Sequence, residues 1–529
     1  MHDAPVDSST WVDHDARPID KPRERSENFY SHCVRTAVFD PLGHFFDVPD
    51  KILWLAGHAG LHAKPRAANV NAFDEVANSA WFTNRNHVRA VPLDSIRAGA
   101  YGEIRPAPPF VITGRKEGGT TFGFRVTDAN GRKWLFKLDP PGCPQLVSGA
   151  DVVVGRLLYA VGYNVSHDEA VSFRYSDLKI GDKLLAGAKG DPPFSNAELE
   201  AVLALGAHGA NDRYYAEASL FLPGEPVGTI DTRGRRTDDP NDRFDPTSRR
   251  ELRGLFVFDS WVGGWDEYDM QSLDMFQETE GSRGYVEHNL LDFGSTLGAS
   301  SVGAKPPSYG YEYAVDYGWI GLRMISFGFI EEPWRRAHQE TGMASAGNFD
   351  WARYDPPSFR TYLPYRPFRA RTLDDDYWGA KLVASFSDAQ IAAAIQAAGY
   401  EDSLTSAFLQ KALTERRDRV ARFYFARVAP LDFFAVSARG LTFRDLAVDL
   451  RLTEPRAYEV RVAALAGRVA VRDLRLAGPS FALDELGPEA QAVRLTISIP
   501  GEPSASPATV DLARRDGVWA VTQVRHASG

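Results

Sequence analysis

Cysteine is scarce in this chain of 529 residues, since only Cys33 and Cys143 occur, far apart and outside any C-x-x-C pattern. That scarcity excludes a disulfide framework and a cysteine-based zinc site. No stretch approaches the ~18 uninterrupted apolar residues of a membrane-spanning helix, and the N-terminus lacks the apolar core of a signal peptide. We therefore expect no membrane span, and a cytoplasmic address by default, or an exported one if a signal peptide was removed.

Positive charge is also in short supply. The formal net charge is −10, whereas a dedicated nucleic-acid binder needs cationic surface to displace counterions from phosphates, so we expect no nucleic-acid partner. Neither a G-x-S-x-G elbow nor a Walker-type G-K-[ST] run is present, so no motif supports a hydrolase or a P-loop interpretation. The apolar fraction of 44% and the charged fraction of 25% are those of a globular protein.

What the chain does contain is a β-rich part followed by an α-rich part. Residues 1–28 form a flexible or surface-wrapped arm, and 51–62 (KILWLAGHAGLH) look helical. A hairpin is predicted where TFGFRVTD and RKWLFKLD meet around Asn130-Gly131, since this dipeptide suits the positive φ of a tight turn. Four helices are predicted further along: SGADVVVGRLLYAVGY with Ser148 as N-cap, RRELRGLFVFDSWVGGW as a buried helix, and DAQIAAAIQAAG and SAFLQKALTERRDRVARFYF as amphipathic helices.

From about residue 431 onward, short alternating runs are separated by Gly, Pro and Asp turns, which indicates a small β-sandwich-like unit. Together these patterns divide the chain into an N-terminal arm and extension (1–105), a β-rich unit (106–228), an α-rich unit (229–430) and a β-rich C-terminal domain (431–529).

Phosphoryl transfer requires a phosphate cradle, a lysine on the phosphates and carboxylates for magnesium and for the attacking hydroxyl. Gly118, Gly119 and Gly123 lie directly before a strand, where their backbone N–H groups are suited to line a phosphate. A plain glycine-rich hairpin loop is the alternative. Lys137 lies within the strand WLFKLDP, where the alternative is an edge-strand lysine that reaches solvent.

Two acidic motifs follow in the order that this chemistry needs. Asp266 stands five residues before Gln271, the spacing of a kinase catalytic base and a metal-binding amide, and Asp292 opens an Asp-Phe-Gly run after an apolar pair. Their structural alternatives are a solvated loop and a strand-terminating turn. Each alternative is reasonable alone, but all four elements in the expected order make a coincidence improbable.

These motifs resemble a divergent bacterial branch of the protein-kinase-like superfamily, similar to HipA-like kinases and to related bacterial proteins with a W-x-x-H-x-D-x-x-x-x-N run. The resemblance spans about residues 70–430. It implies a bilobal α+β fold that binds ATP and Mg²⁺ (or Mn²⁺). By resemblance, Lys137 contacts the phosphates, Asp266 is the catalytic base, Asp292 and Gln271 hold the metal, and the glycines cover the nucleotide.

The sequence departs from the family pattern at three positions. Gly264 replaces the usual histidine two residues before the base, and Gln271 replaces Asn, which displaces the amide oxygen by roughly 1.5 Å. Asp151 stands where a helix Glu normally pairs with the lysine. It also fits a helix-capping role, because it comes three residues after Ser148. Asp269 and Asp274 are substitute metal ligands or, more commonly for such residues, exposed loop acids.

Three other clusters are assigned structural roles. His58 and His62 share an i, i+4 spacing but lack the Glu of an H-E-x-x-H zinc site. The acidic run 238–245 lacks EF-hand spacing and is interpreted as a solvated loop. Arginines in 415–422 interleave with acids, which is typical of an exposed helix face.

Four functions follow from the sequence. The first is a Mg²⁺/ATP-dependent phosphotransferase that acts on a hydroxyl of an unknown protein or small-molecule acceptor. The second is a catalytically impaired pseudokinase that serves as a scaffold, and the third is a kinase-fold nucleotidyltransferase that moves AMP, since fold does not fix function. The last, a surface-binding or carbohydrate-binding protein led by the C-terminal domain, has the least support.

Overall fold

The computed structural model describes residues 11–26, 29–39, 64–116, 118–181, 194–209, 212–266, 269–332, 334, 341–437, 439–467 and 471–526. They form a mixed structure with strand-rich and helical regions. Among these residues, no helix has the length and apolar character needed to cross a membrane. The predicted helix at 51–62, with His58 and His62, lies outside the described ranges.

The first twelve strands build two larger sheets and one short hairpin. They are β1 (Ile19–Asp20), β2 (Phe110–Arg115), β3 (Gly123–Thr127), β4 (Lys133–Leu138), β5 (His167–Phe173), β6 (Leu178–Ile180), β7 (Tyr214–Leu220), β8 (Glu225–Pro226), β9 (Ser272–Glu280), β10 (Arg283–Leu290), β11 (Ala299–Ser300) and β12 (Gly303–Ala304). The larger sheet has the order β5-β7-β4-β3-β2-β6, and the second has the order β1-β10-β9-β8.

The predicted hairpin is confirmed, because β3 and β4 are antiparallel neighbours. Alternate residues on these strands, including Phe124, Trp134 and Phe136, are fully buried in one aromatic core. β4 lies between β3 and β7 in the interior of the sheet. The edge-strand interpretation of Lys137 is therefore wrong.

The helices surround a second and larger core. They are α1 (Phe29–Val34), α2 (Leu93–Ala98), α3 (Val147–Val161), α4 (Asn196–Leu203), α5 (Arg250–Val262), α6 (Tyr317–Ile325), α7 (Arg366–Ala370), α8 (Leu373–Ala384), α9 (Asp388–Ala398), α10 (Ser403–Phe425) and α11 (Leu446–Asp449). Every residue of α5 is buried, including the charged Arg250, Glu251 and Arg253, which confirms the buried helix predicted here. A Cβ at Gly254 would meet Trp378 of α8 at 2.7 Å, so glycine permits the close approach of α5 and α8.

The N-terminal segment wraps the surface of this body. Ile19, in β1, is buried and pairs with Gly284 of β10, which agrees with the surface-wrapped form of the predicted arm. Further along, Phe82 is fully buried, with its ring centroid 5.2 Å from that of Tyr163. The extension is therefore packed on the larger part of the chain.

Two charged segments that the sequence predicts to be solvated are each partly buried. Asp239 and Asp242 are buried, and Asp242 Oδ1 is 3.2 Å from Arg249, so the prediction of a solvated acidic loop is wrong for these two residues, while the rest of the run includes exposed positions. Arg416 and Arg417 of α10 are also buried, which corrects the prediction of an exposed basic face at these positions, whereas Arg422 is exposed. In both segments, local packing decides burial, which the residue types alone do not reveal.

The C-terminal part consists of two sheets that share one apolar core. Its strands are β13 (Leu431–Ser437), β14 (Gly440–Asp445), β15 (Tyr458–Gly467), β16 (Arg472–Leu476), β17 (Ser480–Phe481), β18 (Ala490–Ser498), β19 (Ala508–Arg515) and β20 (Val518–Arg525). The sheets have the orders β13-β14-β17 and β16-β15-β18-β19-β20. Buried polar contacts join them to the rest, because Lys381 Nζ is 2.7 Å from Asp432 and His526 Nδ1 is 2.8 Å from Asp74.

Candidate functional site: a buried lysine among carboxylates

The candidate site is centred on Lys137, whose side chain is only 7% exposed. Its Nζ lies 2.8 Å from Glu217 Oε1 and 2.8 Å from Asp292 Oδ1. Asp151 Oδ2 is 3.8 Å away. The sequence predicts that Lys137, Asp266 and Asp292 converge on one cleft. Lys137 and Asp292 meet although 155 positions separate them, whereas Asp266 lies in a neighbouring segment described below.

Three elements bring these groups together. β4 and β7 are paired in a register that sets Lys137 directly opposite Glu217, so both side chains share one face of the sheet. The helix α3 presents Asp151 to that face. Asp292 follows β10 and adopts a positive φ of 60°, a backbone state that Asp tolerates better than most residues and that often marks functional positions.

The helix-capping role of Asp151 is wrong, and so is the assignment of Ser148 as N-cap. The helix begins at Val147, one residue before Ser148, and Asp139 of the preceding loop satisfies its first amides. Ser148 N donates to Asp139 Oδ1 at 2.9 Å, and Ser148 Oγ donates to Oδ2 at 2.6 Å. Asp151 is left free to face Lys137.

Burial and mutual repulsion raise the pKa of two of the carboxyls. Burial raises the pKa of Asp151 well above its usual range, and Glu217 and Asp168 add to the rise. For Glu217, burial outweighs the opposing effect of Lys137 and raises the pKa to about 7. Neither oxygen of Asp151 accepts a hydrogen bond from a described donor. Protonation of one of these two carboxyls relieves the repulsion.

Lys137 and Asp292 each stabilise the charged form of the other. Burial alone would lower the pKa of Lys137, but Asp292, Glu217 and Asp151 together raise it well above 10.5. Desolvation would raise the pKa of Asp292, yet the nearby ammonium lowers it below 3.8. The side chain of Asp292 is 53% exposed, so it is the member of the cluster that a ligand reaches from solvent.

The carboxylates also suit a divalent cation. Oxygens of Asp151, Glu217 and Asp292 lie within 4.8 Å of one another. Hard cations such as Mg²⁺ prefer carboxylate and amide oxygens. The buried oxygens of Asp151 and Glu217 Oε2 have no hydrogen-bond partner among the described residues. The donor set therefore fits Mg²⁺ or Mn²⁺.

Asp266 and Gln271 lie in a neighbouring segment. Gln271 Nε2 donates to Asp266 Oδ2 at 2.6 Å. The segment runs beside the Asp292 turn, because Leu291 N donates to Gln271 O at 2.9 Å and Trp265 N donates to Ser295 O at 3.2 Å. The backbone thus places both predicted residues next to the Asp292 segment.

The residues that depart from the family pattern have local explanations. A Cβ at Gly264 would lie 3.2 Å from Asp259 Oδ1, so the buried Asp259 occupies space next to this position. Asp269 and Asp274 are both buried, which corrects the expectation of exposed acids. Asp269 accepts from Thr232 at 2.9 Å, and Asp274 lies 2.6 Å from His288 Nδ1.

The glycine stretch divides into two parts. Gly118 and Gly119 are exposed and adopt positive φ values of 71° and 72°. A Cβ at Gly123 would lie 1.9 Å from Phe136 O, so strand packing by itself requires glycine there. Beside them, the half-buried Lys116 donates to Gly118 O. Burial and the charge of Lys137 lower the pKa of Lys116.

Sequence reasoning missed Glu217, Asp168 and Lys116. The first two lie on β7 and β5, where an acidic residue amid apolar neighbours was the available signal. Such a residue identifies a buried charge but not its partner, because the partner depends on which strands pair. Lys116 was part of the glycine-rich run but lacked a motif of its own.

No protein-family model matches the chain, and no curated protein matches it. The chain is similar to the crystal structure of the Golgi casein kinase with Mn/ADP bound, with a TM-score of 0.31 and 13% identity, over 60% of this chain and 72% of that chain. It is also similar to a Helicobacter pylori proinflammatory kinase, CtkA, with a TM-score of 0.29 and 12% identity, over 59% of this chain and 94% of that chain. These scores are too low to assign a fold or an activity.

Proposed function

We propose that the chain is a Mg²⁺/ATP-dependent phosphotransferase with a bilobal, protein-kinase-like fold. Residues 106–228 form its β-rich lobe and residues 229–430 its α-rich lobe. The observation that carries the proposal is the convergence of Lys137, Glu217 and Asp292 from three separate elements. A lysine on an inner strand, held by acids and facing a half-exposed aspartate, is the arrangement that phosphoryl transfer from ATP requires.

Lys137 and Asp292 divide the work of holding the nucleotide. On ATP binding, Lys137 exchanges Asp292 for phosphate oxygens and keeps Glu217 as its anchor. Asp292 and Gln271 would hold Mg²⁺ or Mn²⁺, with Asp151 and Glu217 as further oxygen donors. The metal, when bound, neutralises charge on the phosphate oxygens.

The exposed glycines cover the phosphates. Gly118 and Gly119 present backbone N–H groups in the positive-φ conformation that forms anion-binding concavities. Lys116 adds a second cation close to Lys137. The role of Gly123 is to let β3 approach β4, which fixes the base of this loop.

Asp266 acts as the catalytic base. It accepts the proton of the acceptor hydroxyl as the hydroxyl oxygen bonds to the γ-phosphorus. The bond from the γ-phosphorus to the β–γ bridging oxygen breaks, and ADP leaves with that oxygen. The hydrogen bond from Gln271 orients the Asp266 carboxylate for this step.

A catalytically impaired scaffold is the second candidate, and one observation favours it. Gln271 Nε2 donates to Asp266 Oδ2 at 2.6 Å, so one oxygen of the proposed catalytic base is already engaged by the residue assigned to the metal. In this alternative, the 1–105 extension and the 431–529 β-sandwich-like domain serve as interaction platforms. A nucleotidyltransferase that moves AMP would use the same lysine and carboxylates, and only its products distinguish it.

Product analysis separates these functions. The purified chain is incubated with Mg²⁺ and ATP labelled at either the α- or the γ-phosphate, with water, the hydroxyl groups of the chain itself and an added hydroxyl-rich protein as phosphoryl acceptors, and the products are resolved by chromatography. We expect ADP from the wild type, a strong loss with Asp266→Asn and Asp292→Asn, and unchanged formation with the exposed-surface control Asp473→Asn. Label transferred from the α-phosphate would establish AMP transfer instead, and absence of any product would contradict the phosphotransferase proposal.

A further inference from the structure

A cavity of about 540 Å³ adjoins the segment that carries Asp266. Gly263, three residues before Asp266, is part of its wall. Lys305, also in the wall, donates from Nζ to Tyr309 O at 2.6 Å. The Tyr309 ring centroid is 4.4 Å from that of Trp265. The cavity and the Asp266 segment are therefore connected through packed side chains.

Lys305 is an unusual residue to find in such a wall. It is only 9% exposed, and its Nζ lies 5.3 Å from the Tyr311 ring centroid. One carbonyl bond satisfies one of its three N–H donors. Within the described residues, no carboxylate forms an ion pair with it.

Arg416 supplies a second buried cation to the same cavity. Its guanidinium donates to Ser260 O at 2.6 Å, Trp261 O at 2.7 Å and Asp350 O at 2.7 Å. It also lies 3.7 Å from the Tyr354 ring centroid. All three bonds are to backbone carbonyls, and two N–H donors remain. The carboxylate of Asp350, also in the cavity wall, acts on both cations, but among the described residues neither cation has a carboxylate within salt-bridge distance.

Buried lysines elsewhere in the described chain have carboxylate partners. Lys137 and Lys381 are the other buried lysines of the described chain, and each contacts two carboxylates within 3 Å. A buried charge without an opposite charge is costly, and such groups are retained where they bind something. The unpaired cations of Lys305 and Arg416 therefore indicate a missing anion.

We propose that this cavity binds a small molecule that carries a carboxylate or phosphate group on a flat apolar body. The anion would meet Lys305 and Arg416. The aromatic side chains of Tyr311, Tyr354 and Phe349 line the cavity and would hold the apolar part. The volume is within the usual range for small-molecule sites, about 300–1,000 Å³. The site is separate from the Lys137 cluster and does not depend on the activity proposed above.

Thermal unfolding of the full chain with simple probes tests the proposal. Phenyl phosphate and benzoate represent the two anions, and phenol and benzylamine are the neutral and cationic controls. We expect an anion that binds the cavity to raise the midpoint of thermal unfolding by on the order of 2–4 °C at saturating concentration. Phenol and benzylamine should leave the midpoint unchanged. A shift with phenyl phosphate alone assigns a phosphate ligand, and a shift with benzoate alone assigns a carboxylate.

Substitution of the lysine completes the test. Lys305→Met and Lys305→Gln should both fold and lose the anion-dependent shift, whereas the exposed-lysine control Lys179→Met should keep it. An equal shift in the Lys305 variants, or no shift with either anion in the wild type, would overturn the proposal. Addition of Mg²⁺ and ATP in a separate arm reports on the Lys137 site independently, so that failure of one site leaves the other tested.

Discussion

Lys137 and Lys305 are both more than nine-tenths buried, yet their surroundings drive their pKa values in opposite directions. Burial acts first on each and favours the neutral amine. Around Lys137, Asp292 and Glu217 outweigh burial and raise the pKa well above 10.5. Around Lys305, Arg416 adds to the effect of burial, Asp350 opposes it only in part, and the pKa falls to about 7. The neighbouring charges, and not the depth of burial, decide whether a buried lysine keeps its charge.

This difference suits two kinds of site. Lys137 stays charged over the physiological range, as a permanent phosphate contact must. Lys305 is near half-charged at neutral pH, so a bound anion can draw a proton onto it.

Removal of the paired lysine should have the largest effect. Lys137→Met leaves Glu217 and Asp292 without their cation, and loss of one partner of a buried ion pair typically costs ~3–5 kcal/mol in the free energy of unfolding. The loss should be greater at pH 8 than at pH 5, because protonation of the carboxyls relieves their repulsion. Denaturant unfolding at both pH values measures it, with Lys133→Met, an exposed lysine on the same strand, as the control. A loss no larger than that of Lys133→Met would contradict the paired state.

Removal of the unpaired lysine should raise the stability of the folded chain. Lys305→Met eliminates a buried cation, and each unit of depressed pKa corresponds to ~1.4 kcal/mol, so we expect a gain on the order of 1 kcal/mol or more in the free energy of unfolding at pH 7. Urea denaturation measures the gain. A clear loss of stability would mean that Lys305 has a carboxylate partner in solution.

The pH dependence of stability should sharpen the same contrast. Because the pKa of Lys305 is about 7 in the folded chain and 10.5 in its ordinary state, the unfolded chain binds more protons between these values. The contribution of Lys305 to the free energy of unfolding therefore becomes more favourable to the folded state as pH rises from 7 to 10.5. Lys305→Met should flatten that rise, which stability measured at several pH values would detect. An unchanged slope would show that Lys305 does not titrate there.

Substitution of the two acids beside Lys137 should change the affinity for Mg²⁺/ATP by different amounts, and this difference is smaller than the effects above. Glu217 lies 2.8 Å from the ammonium and Asp151 3.8 Å. We expect Glu217→Gln to reduce Mg²⁺/ATP affinity more than Asp151→Asn does, as measured by titration calorimetry. Since the folded pKa of Glu217 is about 7, against 4.5 ordinarily, its contribution to stability is lost as pH rises from 4.5 to 7. Glu217→Gln should remove that decline. Equal affinities in the two variants would contradict the ranking.

Sequence patterns predicted the elements that depend on local order. The β3–β4 hairpin followed from strand alternation and a turn dipeptide, and α5 was predicted as a buried helix although it carries charged residues. The meeting of Lys137 with Asp292 followed from the order of motifs. Long-range pairing was less accessible, because Glu217 becomes a partner only through the alignment of β7 with β4.

The errors arose where a distant residue took over a local role. Asp139 caps α3 in place of the predicted Ser148, since the chain folds back on the helix start. The arginines of α10 were assigned to a solvated face because acids interleave with them, but Arg416 is enclosed by aromatic rings and backbone carbonyls. Lys305 lies in a run without any motif, so only the structure reveals its unpaired charge.

The central claim is that Asp292 and Lys137 form a metal-dependent nucleotide site. Its most direct test is thermal unfolding of the chain with ATP, with and without Mg²⁺ or Mn²⁺, beside Asp292→Asn and the control Asp473→Asn. We expect ATP to raise the midpoint only when the metal is present, and this rise to vanish in Asp292→Asn but persist in the control. No rise in the wild type, or an equal rise in Asp292→Asn, would contradict the claim.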